Sequence, residues 1–309
     1  MIYTLNMLWN PSEGFDLGFI MIRYYSLMFV IAFALGFYIM KKIYVREEES
    51  IEKLDTLFIY MIVATLLGAR LGHVFFYDWD YYKHHLLEII LPVRFEPEFQ
   101  FTGFAGLASH GAAIAIILVM LYYSKKIIHK PVLWILDRIA IPVAIGGVFV
   151  RLGNFFNSEI IGYETTSKLG IRFLRDKYSP QDAFAITQNN NINEAYNQIA
   201  TNPQFSEFLE RVTPKHPTQL YEAFGYLIVF IIVYYMYWKT DARLKSGLIF
   251  GVFLILLWTV RFIVEFVKES QGGFESVLGV FSTGQWLSIP FILVGIYLVI
   301  RANKQNTIS

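Results

Sequence analysis

The chain has 309 residues, of which 55% are apolar and only 17% charged, with 28 Phe, 20 Tyr and 6 Trp. Two ordinary soluble domains are excluded, since these carry about 25% charged residues, and a mean hydropathy of +0.45 points to a bilayer, where aromatic rings suit both core and headgroup region. A net charge of +1 offers no basic field for nucleic acid, and the lack of cysteine excludes disulfides, thiolate metal sites and a cysteine nucleophile.

Residues 1–18 contain no Lys or Arg and so lack the basic start of a cleaved signal peptide. Crossing a hydrocarbon core takes roughly 20 apolar residues. Seven stretches qualify: 19–40, 57–77, 104–123, 132–152, 219–238, 246–266 and 280–300. The third and fourth are joined by a short basic turn around Lys125, Lys126, His129 and Lys130, which predicts an antiparallel helix pair. Residues 153–218 are polar and too long for an ordinary loop, which predicts an inserted extramembrane subdomain. The expected fold is an all-α polytopic membrane protein, a single integral domain over residues 1–309 with seven transmembrane helices.

Positive charge in the short connections sets the orientation. Twelve Lys and Arg fall in 41–56, 124–131, 239–245 and the C-terminal tail, against three (Lys83, Arg94 and Lys268) on the other side. The N-terminus is therefore expected outside, the C-terminus inside, and the subdomain outside.

Five cations, all arginine, lie within predicted spans: Arg23, Arg70, Arg138, Arg151 and Arg261. A charge at helix-centre depth costs about 2.5–3.5 kcal/mol on insertion scales, so each needs an anion or a wet cavity. Arg138, beside Asp137, reads as a local pair, and Arg23 fits snorkelling to the interface as well as it fits a site. At 1.5 Å per residue, Arg70 sits roughly 10 Å and His110 roughly 9 Å inside the outer ends of their spans. Arg151, Arg261, Tyr25 and Glu265 fall at the same level. Polar groups from five helices thus gather in the outer leaflet.

Three constellations carry the chemistry. Arg151-Leu-Gly-Asn154-Phe-Phe-Asn157-Ser-Glu159-Ile-Ile-Gly162 ends a span in a turn bearing a cation, two amides and a carboxylate. Part of it is also ordinary helix-stop chemistry. Ser109-His110-Gly111 offers a proton acceptor at neutral pH, although a lone His in an apolar helix is commonly a packed residue. No second His or Asp stands around it at metal-ligand spacing, so no metal or other cofactor is expected. His216-Pro217-Thr218-Gln219-Leu-Tyr-Glu222 reopens the membrane domain, and helix capping by Thr218 or Gln219 explains it equally well.

Taken together and in order, these motifs resemble the prolipoprotein diacylglyceryl transferase family. Arg261-Phe-Ile-Val-Glu265, Tyr25-Ser-Leu-Met, Gly68-x-Arg70-x-Gly72 with Tyr77, and Gly284-Gln285-x-Leu-Ser288-Ile-Pro290 extend the likeness over nearly the whole chain. Two positions depart from the pattern. The glycine-rich stretch after the histidine is reduced to His110-Gly-Ala-Ala-Ile-Ala, and Lys268 stands where arginine is expected.

The resemblance implies an enzyme of the bacterial inner membrane with its active site toward the periplasmic leaflet and a periplasmic subdomain. It implies transfer of the diacylglyceryl group of phosphatidylglycerol to the lipobox cysteine thiol of a prolipoprotein signal peptide, releasing glycerol phosphate. It also implies that Arg151 and Arg261 are essential, that His110 is the candidate base, and that Tyr25, Arg70, Asn154, Asn157, Glu159, Gly162, His216, Gln219 and Glu265 serve substrate binding. On this reading His110 takes the thiol proton and the two arginines clamp the phosphate. Glu265 orients Arg261, Tyr25, Asn154 and Glu159 meet the glycerol headgroup, and Arg70 serves the lipid site or its support. The alternative is a lipid or anion transporter with an arginine-lined path, which predicts cations at several depths.

Overall fold

The computed structural model describes residues 6–18, 21–91, 93–95, 99–101, 106–270, 279 and 281–304. It is mostly helical. The helices are α1 (Tyr24–Arg46), α2 (Ile51–Phe76), α3 (Trp79–Tyr82), α4 (Ser109–Tyr123), α5 (Val132–Phe156), α6 (Leu174–Lys177), α7 (Pro180–Thr187), α8 (Ile192–Thr201), α9 (Ser206–Glu210), α10 (Thr218–Lys239), α11 (Leu248–Val264) and α12 (Thr283–Lys304). Six helical stretches are long and apolar enough to cross a membrane, namely α1, α2, α4 with its π-turn to Ile128, α5, α10 and α12. The 17-residue α11 is apolar but shorter.

Boundaries moved where capping and backbone chemistry overrode hydropathy. The first helix begins at Tyr24 and runs to Arg46, so Arg23 lies outside it, exposed at the end of the strand Met21–Arg23. The second begins at Ile51, because Ser50 accepts a hydrogen bond from Lys53 N and starts the helix six residues earlier than hydropathy suggests. The third begins only at Ser109, since Gly106 adopts φ +73° just before it. Residues 104–105 of the expected span lie outside the described residues.

The chain divides into two compact units. In the unit of residues 40–136, α2 packs on α4 through glycines. A Cβ on Gly111 would fall on the Gly68 carbonyl and 2.6 Å from Gly72 Cα, so only glycine permits this crossing. Gly111 alone makes the closest approach, and Ala112 and Ala115 fill the rest. The shortened glycine stretch therefore still supports close helix packing. At the other end Tyr44 and Tyr123 hydroxyls lie 3.0 Å apart and Tyr123 donates to Lys53 O.

The second unit comprises residues 1–39 and 137–309. Within it, Asp137 accepts from Gly247 N (2.7 Å) and Phe250 N (2.8 Å), capping α11. Arg138 is buried, donates to Arg243 O and lies over the Tyr237 ring. Within the 153–218 insert, whose fold the sequence left open, the segment 157–217 is a small α/β body. Strand β1 (Met7–Trp9) pairs in parallel with Ile171–Phe173, which pairs antiparallel with Pro214–Lys215. Strands of two or three residues carry no readable alternation, and one of these comes from the N-terminal stretch. Leu174, Tyr178, Ala183, Ala195, Tyr196, Ile199 and Val212 form an apolar core beneath them. Helix α7 starts with a capping box between Ser179 and Asp182.

Candidate active site

The described ends of α5, α10 and α11 gather the charged residues of the second unit. Arg151 sits five residues before the end of α5. Its Nε is ion-paired to Glu222, a fully buried carboxylate one turn into α10. Its Nη1 donates to Asn154 Oδ1 at 3.2 Å. Asn154 in turn donates to Glu159 Oε1 at 2.7 Å, and Asn157 approaches the same oxygen at 3.5 Å. Four of the expected residues therefore form one hydrogen-bonded chain leading from a half-buried cation to an exposed rim.

The turn that carries this chain is locally strained. Ser158 and Ile160 hold φ values of +54° and +59°. For the β-branched Ile160 this is a costly conformation, of order 1–3 kcal/mol. It is imposed from outside the turn: Gln219 donates to Glu159 O (2.6 Å) and Thr218 to Ile160 O (2.7 Å), both from the buried first turn of α10. Gln219 and Thr218 thus shape the turn instead of merely capping their own helix.

Gly162 and His216 likewise act in packing. Gly162 N donates to His216 O at 2.9 Å. A Cβ on Gly162 would strike the Val267 carbonyl and lie 2.7 Å from His216 Cβ and 2.8 Å from Thr218 Cγ2. The His216 ring itself pairs through Nδ1 with the Tyr221 hydroxyl at 3.2 Å. The 160–165 segment is thereby laced between the lead into α10 and the end of α11.

Tyr226, buried one turn beyond Glu222, is the common neighbour of the two expected clamp residues. Arg151 lies over its ring at 6.0 Å, and its hydroxyl feels the charges of Glu222, Arg151 and Arg261. Arg261 stacks over Trp258 at 5.0 Å, and its buried Nε has no hydrogen-bond partner among the described residues. Two guanidiniums from different helices therefore act on one phenol, with Glu222 paired to Arg151 and Glu265 also within its electrostatic reach. Glu265 does not pair with Arg261 as expected. Its carboxylate lies against Gly284 and pairs with Lys268 Nζ at 3.3 Å. Tyr25 packs on Gly153, within electrostatic reach of Glu159 and Arg151.

In the sequence Glu222 stands only as the last residue of the His216–Glu222 motif, with no role of its own, and Tyr226 is not marked at all. Their spacing of four, one turn inside an otherwise apolar helix opposite an intramembrane arginine, is the signal that finds them.

Arg70 and His110 belong to the unit of residues 40–136. His110 stands in the first turn of α4, exposed, with its ring 5.6 Å from those of Phe76 and Tyr77. Its neighbourhood also holds a contact unforeseen from sequence, His73 Nε2 to Asp78 Oδ2 at 2.9 Å, with Tyr77 stacked on His73. Arg70 is buried and gives Nε to Ile89 O (3.0 Å) and Nη2 to Glu88 O (2.6 Å), beneath the Tyr82 ring. These contacts are those of a structural support.

Comparison with known proteins supplies the remaining constraint. A family model described as prolipoprotein diacylglyceryl transferase matches residues 13–301. Similar proteins named phosphatidylglycerol–prolipoprotein diacylglyceryl transferase include one from Porphyromonas gingivalis, 40% identical over 92% of this chain and 89% of the relative. Those from Bacteroides fragilis and Chloroherpeton thalassium are 36% identical over 99% of the chain and 98% of the relative, and 35% over 96% and 94%. The match takes in every residue of the Arg151–Glu222–Arg261 cluster and all the spans that carry it, and the chain belongs to the prolipoprotein diacylglyceryl transferase family.

Proposed function

We propose that the Arg151–Tyr226–Arg261 cluster is the place where this chain, a diacylglyceryl transferase of lipoprotein maturation, holds the phosphate of phosphatidylglycerol. The observation that carries the reading is electrostatic. Arg151 and Arg261 both act on Tyr226, the buried Glu222 is paired to Arg151, the other nearby carboxylate, Glu265, is taken up by Lys268, and Arg261 keeps a buried N–H without an acceptor among the described residues. A phosphodiester monoanion supplies both the missing charge and the missing acceptor. The transporter alternative has no comparable support, because the intramembrane Arg138 is taken up by a backbone carbonyl and a tyrosine ring.

The reaction breaks the bond between the glyceryl carbon and its phosphate oxygen and forms a carbon–sulfur bond to the lipobox cysteine. The thiol proton goes to His110, and the electron pair of the broken bond leaves on glycerol phosphate. Negative charge grows on the departing phosphate, where preorganised donors are most effective. Glu222 fixes the Arg151 fork by its Nε. Asn154, Asn157 and Glu159, backed by the strained turn, offer acceptors and donors to the glycerol hydroxyls together with Tyr25. Gln219, His216 and Gly162 hold that turn in place, and Arg70 supports the other unit.

The same reading places the chain in the bacterial inner membrane with seven spans. The seventh is α11, whose 17 residues lie at the short end of the roughly 17–25 that suffice. The charge bias favours the N-terminus outside, the C-terminus in the cytoplasm, and the 157–217 body and the reacting groups toward the periplasm. Purified protein incubated with phosphatidylglycerol and a lipobox peptide tests the reaction. A mass gain of one diacylglyceryl group on the peptide cysteine is expected, lost in Arg261→Ala. Full transfer by both Arg151→Ala and Arg261→Ala would overturn the clamp.

A further inference from the structure

The segment linking α2 to the strand at Val93–Arg94 has its polarity inverted. Leu86, Leu87 and Ile90 are 62%, 69% and 68% exposed, with Trp79 and Leu91 also open to the outside. Its carboxylate nearest the leucines points inward, while Asp80, Lys83 and His84 stay exposed on the preceding turn: Glu88 is 3% exposed and accepts from the Tyr81 hydroxyl (2.7 Å) and from Phe95 N (2.8 Å). Arg70, 6% exposed, grips the carbonyls of Glu88 and Ile89 from within α2. A 3₁₀ turn with its leucines outside and its carboxylate inside would be unstable in water, where the apolar side would face inward.

The exposed apolar surface is continuous with that of a membrane span. On α2, Ile59, Leu66, Phe75 and Phe76 are exposed along the helix up to its last residue, and the chain then passes through Asp78 into Trp79. A span presents such a face to acyl chains, and tryptophan favours the headgroup boundary that follows.

We propose that residues 79–91 form an interfacial element seated in one leaflet of the bilayer, its occupant being lipid acyl chains, and that Arg70 is the fastener that holds it there. Arg70 suits this role because its planar fork donates in two directions to two consecutive carbonyls that a tight turn leaves without partners in helix. Exposed leucines beside a fastened turn extend the lipid-facing surface beyond the end of α2.

The chain lacks cysteine, so one introduced thiol gives one label. Full-length Leu87→Cys carrying an environment-sensitive fluorophore is reconstituted in nanodiscs of phosphatidylglycerol and phosphatidylethanolamine, with and without spin-labelled lipid. Ile59→Cys on α2 serves as the lipid reference and Leu169→Cys in the 157–217 body as the aqueous one. The Leu87 label is expected to show the blue-shifted emission and the loss of intensity to spin-labelled lipid seen at Ile59. Emission as red and as unquenched as at Leu169 would overturn the proposal. So would a blue shift without lipid quenching, or crosslinking of Leu87→Cys between two copies, since either puts protein on this face. Arg70→Lys, which keeps the charge but loses the fork, is then added to each labelled chain. Quenching should fall at Leu87 and persist at Ile59. Unchanged quenching at Leu87 would remove Arg70 as the fastener.

Discussion

The 157–217 body and the spans are built on opposite plans from one chain. In the body, Leu174, Tyr196 and Ile199 are buried while the charged Glu194, Glu207 and Arg211 lie outside or at the edge. In the spans, Ile59, Leu66 and Phe224 face outward while Arg138, Asp137, Thr218, Gln219, Glu222 and Ser288 are buried. The difference follows from the solvent. Water makes apolar burial the driving term, whereas hydrocarbon makes unsatisfied polarity the expensive one. Stability should therefore rest on methyl groups in the first region and on ion pairs and hydrogen bonds in the second.

The largest expected effect lies outside stability. His110→Gln should cut turnover about 100- to 10,000-fold, the usual worth of a positioned general base, with the melting temperature in detergent unchanged because His110 is exposed. Retained transfer would reassign the base. Arg151→Ala and Arg261→Ala sharpen the contrast inside the membrane region. Each should lose roughly 100- to 1,000-fold in turnover, about 2.7–4 kcal/mol of transition-state stabilisation. Only Arg151→Ala should also melt early, because it strands buried Glu222, a loss of about 3–5 kcal/mol. Equal melting of the two variants would break the distinction between a paired and an unpaired arginine.

In the 157–217 body the expected currency is apolar. Ile199→Ala should cost about 2–5 kcal/mol, visible as a separate low-temperature step in thermal unfolding. Gly162→Ala, whose new methyl would strike the Val267 carbonyl, should cost about 1–3 kcal/mol by overpacking and lower turnover through the turn it fixes.

The smallest effect is a surface tether. Lys215 pairs with Asp176 and Glu269 at 2.8 Å each. Burial opposes its charge, but those two carboxylates raise its pKa above the ordinary 10.5. Because the folded value is the higher one, this contribution is complete below 10.5 and disappears as the pH climbs through the folded value. It should be worth less than about 1 kcal/mol. Lys215→Met should accordingly lower the melting temperature slightly at pH 7 and make no difference once wild type has lost its own tether at high pH.

Sequence reasoning captured what depends on composition and motif order. The intramembrane arginines, the Asn154–Glu159 turn and the helical character of the chain were all legible, since charge in an apolar stretch and long apolar runs are one-dimensional signals. Partners were not. Arg151 meets Glu222, 71 positions away in the sequence, and Glu265 turns to Lys268 because the backbone of Gly284 leaves space there. Arg23 read as intramembrane because hydropathy averages over a window that the hairpin Gly14–Asp16 and Met21–Arg23 interrupts. The small sheet was illegible because its first strand lies before the first span.

That sheet imposes an order of events on biosynthesis. Asn6, next to the first strand, bonds to the Gly170 carbonyl 164 residues later. At about 5–20 residues per second, the ribosome needs roughly 8–30 s to deliver the partner. Throughout that interval the strand Met7–Trp9 has an open hydrogen-bonding edge, and Trp9 lacks the Phe155 carbonyl it will donate to. Residues 6–9 thus wait for residues 155–173 before they find their places, so removing them should leave insertion intact and weaken only the closure of the sheet.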